Sequence, residues 1–163
     1  MNEQEFIAAL KDHEGIIHKV CNMYQQDISL HEDLFQEIVY NAWKGIGSFR
    51  GDARFSTWLY RVALNTAISF YRRGKRDRLA ESHIGMETHF DPGNQSADPL
   101  QTLYHAIGEL SRVDKALVML YLEDYNYDEM SQLLGISPNL VAVRMSRIRE
   151  KLRKIITHLK LQE

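Results

Sequence analysis

The stretch from Tyr127 to Lys154 reads YDEMSQLLGISPNLVAVRMSRIREKLRK. Met130, Leu133 and Leu134 recur at helical spacing and predict a short helix from Tyr127 to Leu134 with those side chains inward. Gly135 can adopt the left-handed backbone that ends a helix, because it has no Cβ to clash. Ile136 plugs the turn, Ser137 carries a side chain able to cap a second helix, and Pro138 suits that helix's first position, where no N–H is needed. Leu140, Val141, Ile148 and Leu152 then predict an inward stripe, leaving Arg144, Arg147, Arg149, Lys151 and Arg153 for solvent or phosphate. Two helices so joined form a helix-turn-helix, whose second helix enters the DNA major groove while flanking basic residues fix register on phosphates. A basic helical hairpin without a nucleic-acid role is the competing account. The Gly-Ile-Ser-Pro turn followed by arginines favours DNA.

The rest of the chain reads as helix too. Leu34, Phe35, Ile38, Val39, Ala42 and Trp43 recur at three and four, as do Leu117, Val118, Leu120 and Tyr121. Ser29 with Glu32 predicts a capping box opening the helix that carries Leu34. Clean alternation at period two, the mark of strands, is absent. Gly45, Gly47 and Gly51 mark a turn before a further helix. In DRLAESHIGMETHFDPGNQSADP, Pro92-Gly93, Pro99 and mixed polar residues break all periodicity. A structureless run of that length inside one compact domain is unusual, so it reads as a linker. The expectation is an all-α protein of two small helical domains, residues 1–76 and 101–163, joined by a flexible linker over 77–100, the C-terminal domain being the helix-turn-helix.

Charge is unevenly placed. Residues 41–78 hold nine bases and two acids, and 142–163 hold seven bases and two acids, in a chain of net charge −2. Two separated basic segments in a near-neutral chain point to two contacts with a polyanion. The first contains SFRGDARFSTWLYRVALNTAISFYRR, Ser48 to Arg73, which packs Phe49, Phe55, Trp58, Tyr60, Phe70 and Tyr71 among Arg50, Arg54, Arg61, Arg72 and Arg73. Aromatic faces stack on bases and guanidinium groups track phosphates in single-strand binding, at about 1–3 kcal/mol per stacked base. A helical core with a solvated basic rim explains the same composition, and both accounts stay open on these residues alone.

Other chemistries are poorly supported. Cys21 stands alone, which excludes an internal disulfide and a cysteine zinc site, and it falls on the apolar stripe of Phe6, Leu10, Ile17, Val20 and Tyr24 as a buried small residue. No apolar run approaches the ~20 residues that span a bilayer. The acidic N-terminus lacks the order of a signal peptide, so the cytoplasm is the expected compartment. His83, Glu87, His89 and Asp91 read as loop residues with no rigid element to orient a metal, and His13, His18, His31, His105 and His158 are scattered. No metal, cofactor or catalytic constellation is expected. A free-standing regulator binding operator DNA as a dimer is the alternative function, against which the aromatic-basic helix stands where a sensing or dimerisation domain would be.

Taken together, these blocks resemble the bacterial RNA polymerase sigma factors of the extracytoplasmic-function group. DLFQEIVYNAWKGIGSFRGDARFSTWLYRVALNTAISFYRR is similar to the family's second conserved region, and SRVDKALVMLYLEDYNYDEMSQLLGISPNLVAVRMSRIREKLRK to its fourth. The resemblance implies a non-enzymatic initiation subunit that binds core RNA polymerase, through the β′ clamp helices and the β flap, and directs promoter recognition and DNA melting. It implies that Asp33, Leu34, Gln36 and Glu37 grip the clamp. It places Phe49, Arg50, Arg54 and Phe55 in the loop that captures a base flipped from the minus-ten element, with Asn65 in support. Trp58, Tyr60 and Arg61 then hold the adjoining strand, Trp58 serving packing equally well. Ser137, Asn139, Arg144, Arg147 and Arg149 are implied to lie on the minus-thirty-five element. Where many members carry a basic residue and a serine before the shared arginine, this chain has Ala142 and Val143, so the family's sequence preference does not transfer, and the apolar pair is expected to suit thymine methyls. An anti-sigma factor is an implied partner, and the acidic linker is open to reading as a nucleic-acid mimic or a plain tether.

Overall fold

The computed structural model describes residues 1–24, 28–81 and 99–160, and every regular element among them is a helix. α1 (Glu3–Asp12) and α2 (Glu14–Tyr24) lead to α3 (Ile28–Gly45), a 3-10 turn (Ile46–Ser48) and the long α4 (Phe55–Glu81). After them come α5 (Pro99–Gly108), α6 (Arg112–Leu122), α7 (Tyr127–Leu134) and α8 (Pro138–Lys160). Two helical units result, as the periodicity predicts. α4 runs on as far as Glu81 and α5 opens at Pro99, so the described backbone is helical at both ends of the expected linker; residues 82–98, with His83, Glu87, His89 and Asp91, lie outside the described residues.

Local chemistry sets the helix starts. Asn2 accepts from the Glu5 amide at 2.9 Å while the Glu5 carboxylate accepts from the Asn2 amide at 2.8 Å, and Asn126 with Glu129 repeats both bonds at the head of α7. Ser111 caps α6 by accepting from the Asp114 amide at 3.2 Å. Such caps satisfy amides that have no partner within their helix, each contributing about 1 kcal/mol. α3 already includes Ile28, so Ser29, expected to cap this helix, stands inside it, and its side chain lies outside the described residues.

In the N-terminal unit α2, α3 and α4 pack around Ile17, Val20, Leu34, Ile38, Leu59 and Leu64, all fully buried. Cys21 is buried with them, as its place on the stripe predicts. In the C-terminal unit α8 lies across α5, α6 and α7 over Leu117, Leu120, Met130 and Val141. Burial of each such side chain contributes about 1.5–3 kcal/mol, so the apolar stripes dominate the stability of both units. The units also meet one another, α4 packing against α6 and α7, and the buried side chains join there into one cluster.

The helix-turn-helix forms with the residues that predict it. Gly135 has φ of 67°, its amide donates to the Ser131 carbonyl at 2.9 Å, and the Ser131 hydroxyl donates to the Ile136 carbonyl at 2.5 Å. Ser137 caps α8 by accepting from the Leu140 amide at 3.2 Å. Leu140 departs from expectation: it is 40% exposed, and Met145 occupies the inward position instead. Val141, Met145, Ile148 and Leu152 are spaced by four, three and four, which keeps them on one face, whereas Leu140 is turned about 100° from Val141. Tyr121 and Trp43, read as members of apolar stripes, are likewise exposed at 46% and 45%.

Candidate nucleic-acid interface

The loop between the 3-10 turn and α4 holds the aromatic residues together. Phe49 donates its amide to the Ile46 carbonyl at 3.0 Å, and Gly51 takes φ of 79°, a conformation that a side chain there would strain. The Phe49 ring then stands 5.8 Å from Phe55 and 5.5 Å from Trp58, with Phe55 and Trp58 also 5.5 Å apart. Phe6 of α1 backs this cluster at 6.4 Å from Phe55 and 5.3 Å from Trp43. All three rings of the cluster are half-buried, which makes them a supported surface with faces still open. Arg50, Arg54, Arg61 and Asn65 are exposed, and Arg54, just before the first residue of α4, is followed by Trp58, Arg61 and Asn65 of that helix at spacings of four, three and four, on one side. Guanidinium groups and stacking rings are thereby brought onto one ridge. Trp58 serves both packing and surface. Phe70 packs against the core.

Tyr60 sits elsewhere. It is only 4% exposed, and its ring meets Tyr125 edge-on at 6.0 Å. Burial first, and the neighbouring Glu123 carboxylate second, hold its phenol well above the ordinary range. Tyr125 belongs to the α6–α7 connection, where Asp124 takes φ of 62° and turns the chain so that the Tyr125 amide donates back to the Leu120 carbonyl at 3.1 Å. The Tyr125 hydroxyl lies 3.4 Å from that of Thr57, Lys19 pairs with Glu123 at 2.6 Å, and Tyr24 donates to the Arg112 carbonyl at 2.5 Å. Arg112 in turn donates to the Ile68 carbonyl at 3.1 Å. A cleft of about 870 Å³, bordered by Lys19, Arg54, Arg61, Glu123 and Glu129, remains between the units. Sequence reading misses Tyr125, because nothing local distinguishes a residue that packs against a helix more than sixty positions away.

On α3, Asp33 and Gln36 are exposed, Glu37 is half-buried, and Leu34 lies wholly in the core. Leu34 therefore shapes this face from beneath. Tyr40, 56% exposed, and Trp43 extend the same face, with the Lys44 ammonium 5.4 Å above the Tyr40 ring. Their spacing from Asp33 and Gln36 by threes and fours is the signal that could have found them.

On α8, Asn139, Arg147 and Arg149 are exposed and Ser137 is engaged at the cap. Arg144 donates to the Asp114 carboxylate of α6 at 2.8 Å and is 34% exposed along its side chain. Arg149 lies over the Tyr121 ring at 5.5 Å and donates to the Tyr127 hydroxyl at 3.3 Å. Lys151 donates to the Glu109 carbonyl at 3.1 Å. Among the described residues no three His, Cys, Asp or Glu side chains gather as metal ligands, and no helix is long and apolar enough to cross a membrane.

The sigma-70 region 2 family model matches residues 9–77, and the sigma-70 region 4 model matches residues 100–152. The chain is 30% identical over 149 residues to the ECF RNA polymerase sigma-E factor of Haemophilus influenzae, covering 82% of this chain and 79% of that protein. It is 26% identical to the ECF RNA polymerase sigma factor SigW of Bacillus subtilis, over 93% of this chain and 89% of the relative. In fold it is similar to the sigma factor RpoE of Bartonella quintana, solved in complex with the anti-sigma factor NepR, with a TM-score of 0.69 and 20% identity over 95% of this chain and 96% of that one. CnrH, solved with the cytosolic domain of CnrY, matches with a TM-score of 0.63 and 22% identity over 96% of this chain and 90% of that chain. An aromatic-arginine helix followed by a helix-turn-helix, matched in that order by regions 2 and 4, makes this chain a member of the sigma-70 family of the extracytoplasmic-function type, a sigma factor for promoter recognition and transcription initiation.

Proposed function

We propose how the work of a sigma factor is divided among these residues. Residues 1–76 form the unit that docks on core RNA polymerase and opens the minus-ten element, residues 101–163 form the unit that holds the minus-thirty-five element, and 77–100 join them. Asp33, Gln36 and Glu37, seated on Leu34, present carboxylate and amide groups to the basic side of the polymerase clamp. Phe49 and Phe55 take up an extruded base, and Trp58, Arg54, Arg61 and Arg50 hold the strand beside it, with Asn65 supplying a polar contact. Extrusion costs a few kcal/mol, which stacking and hydrogen bonds in the pocket offset. The open strand is bound more tightly than the duplex, and that difference drives melting without an active site in this chain. Tyr60 joins the strand only when the α6–α7 connection moves away from it.

On α8, Asn139, Arg147 and Arg149 face the upstream duplex, Ser137 holds the helix start, and Arg144 keeps donors for a phosphate beside its bond to Asp114. The protein works in the cytoplasm, alongside the polymerase. An anti-sigma factor is a further expected partner, since RpoE, which shares this fold, was solved in complex with the anti-sigma factor NepR. The carrying observation is the ridge of Arg54, Trp58, Arg61 and Asn65 beside the Phe49 cluster, in a chain that also holds a helix-turn-helix. Mixing the chain with core polymerase and a promoter duplex tests the proposal. Promoter-dependent transcripts and permanganate-reactive thymines are expected, and neither should form with core enzyme alone. DNA binding by the free chain with no transcription from the mixture would identify a free-standing regulator instead.

A further inference from the structure

The outer face of the first two turns of α8 is apolar where a groove-reading helix usually carries donors. Leu140 and Val143 are 40% and 45% exposed, one turn apart on one side of the helix, and Ala142 beside them is exposed as well. None of the three can donate or accept a hydrogen bond through its side chain. Arg144, the nearest guanidinium, is drawn back onto Asp114 of α6 at 2.8 Å. Arg147 is exposed one turn beyond Val143, and Lys151, Arg153 and Lys154 continue the positive charge along the helix. An apolar patch bounded by cations on a helix-turn-helix has the charge to meet a polyanion and the surface to meet something apolar within it. The apolar group that DNA offers in the major groove is the C5-methyl of thymine.

We infer that Leu140 and Val143 are specificity-determining residues that read thymine methyl groups in the upstream promoter element, with Arg147 the guanidinium nearest the base edges and Arg144 a strut that fixes α8 on α6. This rests on the proposed placement of α8 in the major groove. Three residues of helix advance about 4.5 Å, and stacked base pairs about 3.4 Å, so the two side chains meet methyls on neighbouring or next-neighbouring base pairs. Leu140 has the longer reach and contacts the base pair nearer the start of α8. Each shielded methyl is worth roughly threefold to fourfold in occupancy.

The test uses the full chain assembled with core RNA polymerase. A duplex library randomised across the upstream element is selected for holoenzyme binding, and the winning duplex is then remade with deoxyuridine for thymine, one position at a time. That exchange removes the methyl and leaves every hydrogen-bonding group in place. Enrichment of thymine at two positions no more than two base pairs apart, with a threefold to fourfold loss on deoxyuridine exchange at each, is the expected result. Leu140→Ala with Val143→Ala should abolish both the enrichment and the sensitivity, while circular dichroism shows the fold unchanged, since both side chains are exposed. Equal binding of the thymine and deoxyuridine duplexes would overturn the inference. If the double variant loses occupancy although deoxyuridine has no effect, the apolar face meets protein and not DNA, which also overturns it. Failure of α8 to protect any upstream duplex would instead remove the groove placement itself, a result separable from the other two.

Discussion

Single residues in this protein divide between surface chemistry and support, and burial decides which. Phe49 is half-buried against Phe55 and Trp58, so truncating it removes an open face without emptying the core. Phe49→Ala should leave polymerase affinity unchanged while promoter opening, read by permanganate reactivity, falls about tenfold, within the roughly 1–3 kcal/mol of one stacked base. Asp33→Ala with Glu37→Ala should do the reverse, lowering polymerase affinity at least about tenfold in a binding titration while the fold persists. Cys21 shows burial acting on a titration. Its thiol is fully buried and pushed up to about 11 from an ordinary 9.0. Well below pH 9.0 the thiol is neutral folded or unfolded and contributes no slope. Between 9.0 and about 11 the unfolded chain loses that proton and the fold keeps it, so stability falls as pH rises. Tyr24 and Tyr60, raised by burial, act in the same sense at higher pH, whereas Lys115, lowered by desolvation, acts in the opposite one. Denaturant titrations at about pH 8 and about pH 10.5 should therefore show a smaller drop for Cys21→Ala than for the parent chain.

At the scale of the element, the helix-turn-helix depends on its punctuation. Gly135 holds φ of 67° with no heavy atom near the position that a Cβ would occupy. Gly135→Ala consequently costs backbone strain alone, about 1–2 kcal/mol by chemical denaturation, and no steric clash. Asn126→Ala removes a formed capping box and should cost about 1 kcal/mol, with the loss confined to α7 in hydrogen exchange. The Gly135 turn and the Ser137 cap were legible in the chain because each acts within a few residues, whereas the Asn126 box came to light only with the structure. The inward face of α8 was only partly legible. Of the four apolar residues read as inward, Leu140 lies about 100° around the helix from Val141, whereas Met145, between Val141 and Ile148 in the chain, falls on the buried face, so the helical period itself favours Met145.

For the whole molecule, the decisive contact joins the two units. Tyr125 covers Tyr60, and the Lys19–Glu123 pair closes one edge. That ion pair is exposed and worth at most about 1 kcal/mol, so Lys19→Ala should change little. Tyr125→Ala removes an aromatic cover and should matter more. Hydroxyl-radical labelling of Tyr60 is expected to rise severalfold, and small-angle scattering to show a larger radius of gyration. Unchanged labelling would mean that Tyr60 is shielded by its own unit.

By itself the amino-acid sequence determined that the chain is helical, that it forms two units, and where the helix-turn-helix turn and the basic segments lie, because each depends on neighbours within a few residues or one helical turn. The aromatic-arginine ridge and the acidic helix were legible for the same reason. Only the tertiary structure decided that Leu34 supports the acidic face from the core, that Tyr60 is covered by Tyr125, and that Arg144 is bound to Asp114 while Leu140 and Val143 remain outside. Those outcomes follow from which helix packs on which. Contacts between residues thirty to a hundred positions apart leave no period in the chain.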